Sequence, residues 1–270
     1  MATDPFEAPA VDCHAHIFTL DMPVTGTAWA QPTVDASLER YLAILDAAQV
    51  PFAVLAASSL HGDNEYALRA TERHSNLKTT VIVGPNTSAD ELADMASRGA
   101  VGVRFQWRNV PLPPDLASAP YQRLLERIGS LGWHVELHDD ARRLAAPIAA
   151  IEAAGVPLVI DHFGRPDASG VDDPGFRAVL ASLRRGRTWV KIASAFRLEP
   201  PEMDHDLVGE LLDAAGPDRL LWGSDWPFVG FELAMTYDRA LADFLRAVPG
   251  IDIRRQMNAT ALRLYFAKDA

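Results

Sequence analysis

The chain has 270 residues, 49% hydrophobic and 23% charged, an ordinary composition that excludes a fibre or a disordered tract and leaves room for one large core. Asp plus Glu outnumber Lys plus Arg 36 to 25, and the resulting formal charge of −11 repels phosphate backbones and anionic lipid, so nucleic acid and membrane surface are poor partners while an anionic small molecule is admissible if arginines line its cleft. A lone Cys13 excludes a disulfide framework; with no basic start or apolar core at the N-terminus and no run of about 18 apolar residues, the expected address is the cytoplasm.

In chain order, short runs rich in Val and Ile alternate with segments of helical apolar period. The runs are VDCHAHIF (11–18), FAVLAAS (52–58), TTVIVGP (79–85), AVGVRFQ (100–106), WHVELH (133–138), PLVIDHF (157–163), TWVKIAS (188–194) and LLWGSDW (220–226). Helices are expected over 36–49, 63–74, 89–99, 121–132, 141–155, 176–186, 205–216 and 233–248, with a ninth over 253–266. Glycines such as Gly155 and Gly186 stand where a helix C-terminus favours them, and the basic pair Arg184 and Arg185 suits the negative end of a helix dipole. Near-continuous apolar strands alternating with helices imply a parallel sheet covered on its outside. Eight such units predict an α/β fold, a single (β/α)8 TIM-type barrel domain over 1–270 with an extra C-terminal helix. An open doubly wound sheet lacks its usual support, because no GxGxxG follows the first strand.

Barrel enzymes carry their chemistry at the C-terminal ends of strands, and polar residues gather there in this sequence. Alternation in the first run places Asp12, His14 and His16 on one face, turned into the barrel, with Cys13 and Ala15 on the other and Cys13 packed outward under helices. Arg104 and Gln106 end the fourth strand, His138 the fifth, Asp161 and His162 the sixth, Lys191 and Ser194 the seventh with Arg197 just beyond, and Ser224 and Asp225 the eighth. A lone His-x-His pair is more often structural than catalytic. Ionisable groups converging from six strands on one mouth outweigh that reading, since burying them is costly unless they are paired or used.

These residues carry a resemblance. VDCHAH, GVRF, DHFGRPD, WVKIAS followed by Arg197, WGSDWP and NATALRLY together resemble the amidohydrolase-related group of the amidohydrolase superfamily, from the first strand to the last helix. ASSLHGDN (57–64) and DHFGRPD (161–167) are most similar to its 2-pyrone-4,6-dicarboxylate lactonase branch. The resemblance implies hydrolysis of a carboxylated lactone or related cyclic ester, of pyrone-dicarboxylate or sugar-acid type. Asp225 would take the proton of the attacking water, and His14, His16 and His162 would donate to the carbonyl oxygen. Arg104 and Arg197 would hold carboxylates through bidentate hydrogen bonds, with His138, Ser58, Ser59, Arg108, Arg165 and His61 as further contacts. Where the branch has a second arginine six residues beyond the one matching Arg104, this chain has Val110 and offers Arg108; where the branch has a tyrosine, it has His138.

Many relatives hold one divalent ion through residues that correspond to His14, His16, His138 and Asp225, a donor set that suits zinc. The lactonase branch is understood to work without metal, so the resemblance favours no required cofactor, with one zinc ion as the alternative. A metal-dependent decarboxylase using His162 as well, or a non-enzymatic binder of acidic small molecules, are the competing functions. The oligomeric state is not fixed by these features.

Overall fold

The computed structural model describes residues 8–26 and 28–267, so most of the N-terminal stretch read for a leader lies outside the described residues. Eight parallel strands pair in sequence order: β1 (Val11–Ala15), β2 (Phe52–Leu55), β3 (Leu77–Val81), β4 (Ala100–Gln106), β5 (His134–His138), β6 (Leu158–Ile160), β7 (Thr188–Ala193) and β8 (Leu220–Gly223). Around them lie α1 (Leu38–Ala48), α2 (Glu65–Arg73), α3 (Ala89–Ser97), α4 (Ala119–Ser130), α5 (Ala145–Ala153), α6 (Pro174–Arg185), α7 (Asp204–Ala215) and α8 (Tyr237–Ala247), with α9 (Ile251–Tyr265) as the extra C-terminal helix. Among the described residues, no helix is long and apolar enough to cross a membrane.

Local chemistry sets the helix ends. Ser88 and Glu91 form a reciprocal capping box at α3, and Asp173 accepts from Gly175 and Phe176 at the start of α6, where Pro174 loses no helical hydrogen bond. Gly186 ends α6 at φ +94°. The last helix of the barrel begins at Tyr237 rather than at Leu233, because the Thr236 side chain accepts from the Arg239 amide and closes the first turn.

The barrel closes between β1 and β8, and the seam runs through the residues of interest. The Asp225 amide donates to the His14 carbonyl (2.7 Å) and the His16 amide to the Trp226 carbonyl (2.8 Å). One buried carboxylate reinforces the seam: Asp12 accepts from the amides of His14 and Ser224 and from the hydroxyls of Ser224, Tyr41 and Tyr237. Asp12 therefore points outward between α1 and α8. Cys13 lies inside, in an apolar floor with Val11, Val54, Val159 and Leu221 that Ala261 and Tyr265 of α9 cover. This reverses the facing expected from alternation; the pairing of β1 with β2 shifts register between Asp12 and Ala15, and such an irregularity breaks the two-residue period. His14 and His16 still enter the mouth as expected.

Close approach of the two seam strands needs Gly223, since a Cβ there would lie 2.4 Å from the His14 Cβ and 2.9 Å from its backbone nitrogen. Gly223→Ala is expected to lower stability by about 3 kcal/mol, the upper end of overpacking costs, because backbone cannot swing aside as a side chain can. Thermal denaturation monitored by circular dichroism checks this; an unchanged melting temperature would show that the seam can open without cost.

Candidate active site

Above the apolar floor sits a layer of buried charge. Glu136 of β5 lies 2.6 Å from the Lys191 ammonium and 3.0 Å from the Arg104 guanidinium. Asp161, just past β6, lies 3.1 Å from Arg104 and 3.3 Å from Lys191. All four side chains are essentially inaccessible to solvent. Burial and the neighbouring Asp161 charge push the Glu136 carboxyl up to about 7, against the pull of Lys191 and Arg104. For Asp161 the burial cost is outweighed chiefly by the charges of Lys191 and Arg104, which hold it well below the usual carboxylate range.

On this layer rests the catalytic-looking cluster. Left-handed backbone turns the strand-end side chains inward: His162 at φ +53°, Ser194 at +62° and Asp225 at +62° follow β6, β7 and β8, and Phe163, Gly164 and Arg165 continue the left-handed run. Non-glycine residues in this region are strained, and such strain collects at functional sites. The left-handed turns also end β6 and β8 short of the expected Phe163 and Trp226, and β1 ends at Ala15 rather than at Phe18. The resulting ring contacts are edge-on: His14 meets His16 at 5.0 Å and His162 at 4.7 Å, and His138 meets His162 at 4.6 Å.

Asp225 is the focus of this cluster. Its Oδ1 lies 3.5 Å from His16 Nε2 and 3.7 Å from His14 Nε2, while its Oδ2 accepts from Arg197 Nε at 2.6 Å. Burial alone would raise its pKa, but the adjacent Arg197 charge overrides that and holds it well below the ordinary value. His162 and His138 are pushed down, His162 to about 3, chiefly by burial, and stay neutral.

The mouth opens into a cavity of roughly 210 Å³ lined by His16, His138, His162 and Asp225, with Ser58 and Ser59 on one side and Trp29 and Phe231 at the rim. Its wall carries four guanidiniums, Arg104, Arg108, Arg165 and Arg197, against the carboxylates of Asp225 and Glu199, an excess of positive charge that suits an anion. Burial lowers Arg165 to about 10, aided by Arg108 and Arg197 and opposed by Asp140. Among the described residues its buried Nε has no hydrogen-bond partner, with Asp140 at 3.7 Å. Arg108 Nε donates to the same carboxylate at 3.2 Å.

Of the residues expected to act on or touch substrate, all line this cavity except His14 and His61, which stand just behind its lining: His14 beneath Asp225, and His61 Nδ1 paired with Ser58 Oγ at 3.0 Å; of the other strand-end residues, Gln106 lines it, and Asp12, Asp161, Lys191, Ser194 and Ser224 do not. Two arginines arrive with partners the sequence did not reveal. Arg104 is tied to Glu136, Asp161, the Ala57 carbonyl and His138, and Arg197 to Asp225. Glu136 was missed altogether, although alternation puts it on the face of His138 two residues later.

The donor set for a divalent ion fits only in part. His14, His16 and Asp225 converge, but His138 stands outside that group with its Nδ1 facing Arg104 at 3.3 Å. Around the group, the three carboxylates Glu136, Asp161 and Asp225 already face three cations, Arg104, Lys191 and Arg197. A dication added here would meet charge that is already balanced.

The amidohydrolase family profile matches residues 11–267. A 4-sulfomuconolactone hydrolase of Hydrogenophaga intermedia is 30% identical over 82% of this chain and 75% of its own length. A 2-pyrone-4,6-dicarboxylate hydrolase of Comamonas testosteroni is 29% identical over 97% of this chain and 92% of its own. Among solved structures, a probable 2-pyrone-4,6-dicarboxylic acid hydrolase of Acinetobacter baumannii with citric acid bound superposes with a TM-score of 0.90 at 27% identity, covering 94% of this chain and 98% of that one. More distant barrels, 18% and 14% identical with TM-scores of 0.71 and 0.67, were solved with zinc or manganese and share the fold.

Proposed function

Because this chain belongs to the amidohydrolase family, we propose that it is a hydrolase that opens a lactone carrying two anionic groups, using water activated by Asp225. The observation that carries this is the pairing of an ionised, buried Asp225 with neutral imidazoles on one side and an arginine-rich cavity wall on the other. The relatives' substrates, a pyrone dicarboxylate and a sulfomuconolactone, combine a cyclic ester with acid groups, which is what such a wall would select.

In this reading the substrate enters ring-first, its acid groups held at the rim by Arg165 with Arg108 and by the outward edge of Arg197. Water beside Asp225 attacks the lactone carbonyl as the carboxylate takes its proton. Imidazole N–H groups of the cluster stabilise the oxyanion. The ring C–O bond then breaks, the departing oxygen recovers the proton from Asp225, and one water has been added across the ester. Arg104 supports the mouth from below through its ion pairs and offers the substrate at most its remaining N–H edge.

No resident metal is required in this scheme, and charge balance around Asp225 supports that. A panel of pyrone dicarboxylates, sulfonated muconolactones and sugar-acid lactones, assayed before and after chelation and dialysis, tests the proposal. Hydrolysis of an acidic lactone that survives chelation is expected. Complete loss restored by zinc would overturn the metal-free part, and no turnover of any lactone would overturn the whole.

The Arg197 pair also sets a pH dependence. With Asp225 held well below the ordinary carboxylate pKa, kcat/KM should stay level as pH falls from 7 to 5. Arg197→Gln removes the charge that opposes burial, so the Asp225 pKa rises and the acid limb moves toward neutral pH. A limb that stays in place would separate Arg197 from Asp225 function.

A further inference from the structure

We infer that the two histidines of the His-x-His pair are locked in opposite tautomers, the Nε2 of His14 bearing a hydrogen on the Asp225 side and the Nε2 of His16 a lone pair. The inference rests on the lactonase reading for its catalytic meaning and on hydrogen-bond direction for its substance.

His14 Nδ1 faces the Lys191 ammonium at 3.0 Å. An ammonium only donates, so Nδ1 carries the lone pair and the ring hydrogen sits on Nε2. Lys191 is anchored for this task by Glu136 at 2.6 Å and Asp161 at 3.3 Å, and its side chain is fully buried. The alternative acceptors for a hydrogen on Nδ1, Asp161 at 3.4 Å and Glu136 at 3.6 Å, are farther away. His14 Nε2, buried and without a hydrogen-bond partner among the described residues, is thus a donor on the side of Asp225, 3.7 Å from its Oδ1.

His16 is set the other way. Its Nδ1 lies 2.7 Å from the Ala56 carbonyl oxygen, which only accepts, so Nδ1 bears the hydrogen and Nε2 the lone pair. That lone pair stands 3.5 Å from Asp225 Oδ1, two acceptors side by side. A water between them satisfies both by giving one hydrogen to each, which leaves its own lone pair free to attack. His16 is then a positioning partner of Asp225 for the nucleophile, and His14 a donor for the carbonyl oxygen. His138 repeats the His14 pattern, since Arg104 donates to its Nδ1 at 3.3 Å and its Nε2 is buried without a partner among the described residues. The same directions explain why the four-residue metal set fits only in part: a metal needs lone pairs, and His14 and His138 present hydrogens instead.

Long-range proton–nitrogen correlation spectra of the protein with 15N-labelled histidine, at pH 7.5, read the tautomers directly, with signals assigned through His14→Gln and His16→Gln. His14 as the Nε2–H form and His16 as the Nδ1–H form are expected. The same tautomer in both rings, or an imidazolium at either, would overturn the inference. The Lys191→Met, Glu136→Gln double variant removes the ammonium with one of its counter-charges. It should release His14 to the Nδ1–H form facing Asp161, with kcat down ~10²-fold and KM within about threefold of the parent. A folded double variant whose His14 keeps its tautomer would remove Lys191 from this role, and if the variant does not fold the parent spectrum alone decides. Equal tautomers in an active lactonase would sink the inference and leave the function standing; opposite tautomers in a protein that opens no lactone would do the reverse.

Discussion

Asp225→Asn is expected to lower kcat by about 10²–10⁴-fold, the range for loss of a general base, while the far-ultraviolet circular dichroism spectrum stays that of the parent. Asparagine fits the same left-handed position after β8 and can keep the backbone seam to His14, because that bond uses the amide. What it cannot do is accept a proton from water. It also leaves Arg197 without its 2.6 Å ion pair, so KM for an acidic substrate should fall or stay constant rather than rise, as the guanidinium becomes more available. Steady-state kinetics on the acidic lactone found active in the panel would show this split. A variant with near-parental kcat would take Asp225 out of the role of base.

Arg104→Met should destabilise the fold by about 3–5 kcal/mol, the cost of leaving buried carboxylates without their partner, which for a chain of this length lowers the melting temperature by roughly 6–20 °C. The loss should be larger at pH 8 than at pH 5.5. Glu136 has a raised pKa, so its favourable proton is present at low pH and is lost as pH rises through about 7; removing Arg104 raises that pKa further and makes ionisation costlier. Differential scanning calorimetry at the two pH values checks both magnitude and sign. If Arg104 served only to hold substrate, its removal would raise KM and leave the melting temperature unchanged.

The contrast between these two residues shows what the sequence could and could not reveal. Eight strand–helix units, the extra helix and the strand-end positions of His14, His16, His162 and Asp225 follow from period and order, which are local properties. The sequence leaves Arg104 and Arg197 free for substrate because their partners, Glu136 and Asp225, come from the next strand round the barrel, and the register that sets them opposite is written in neither segment. The facing of Asp12 and Cys13 was missed for a related reason. The register shift in β1 arises where the first strand meets its neighbours, and no composition signal in the segment announces it. Hydrogen-bond direction at His14 likewise depends on Lys191, far along the chain, and is visible only once the two are placed 3.0 Å apart.

Ring opening in 18O-labelled water is the most direct measurement of the central claim. A purified, chelator-treated sample turning over an acidic lactone should yield a ring-opened acid with one 18O in the new carboxyl group and no carbon dioxide. Product without the label, as in an isomerisation, or release of carbon dioxide would contradict water-driven hydrolysis at this barrel mouth.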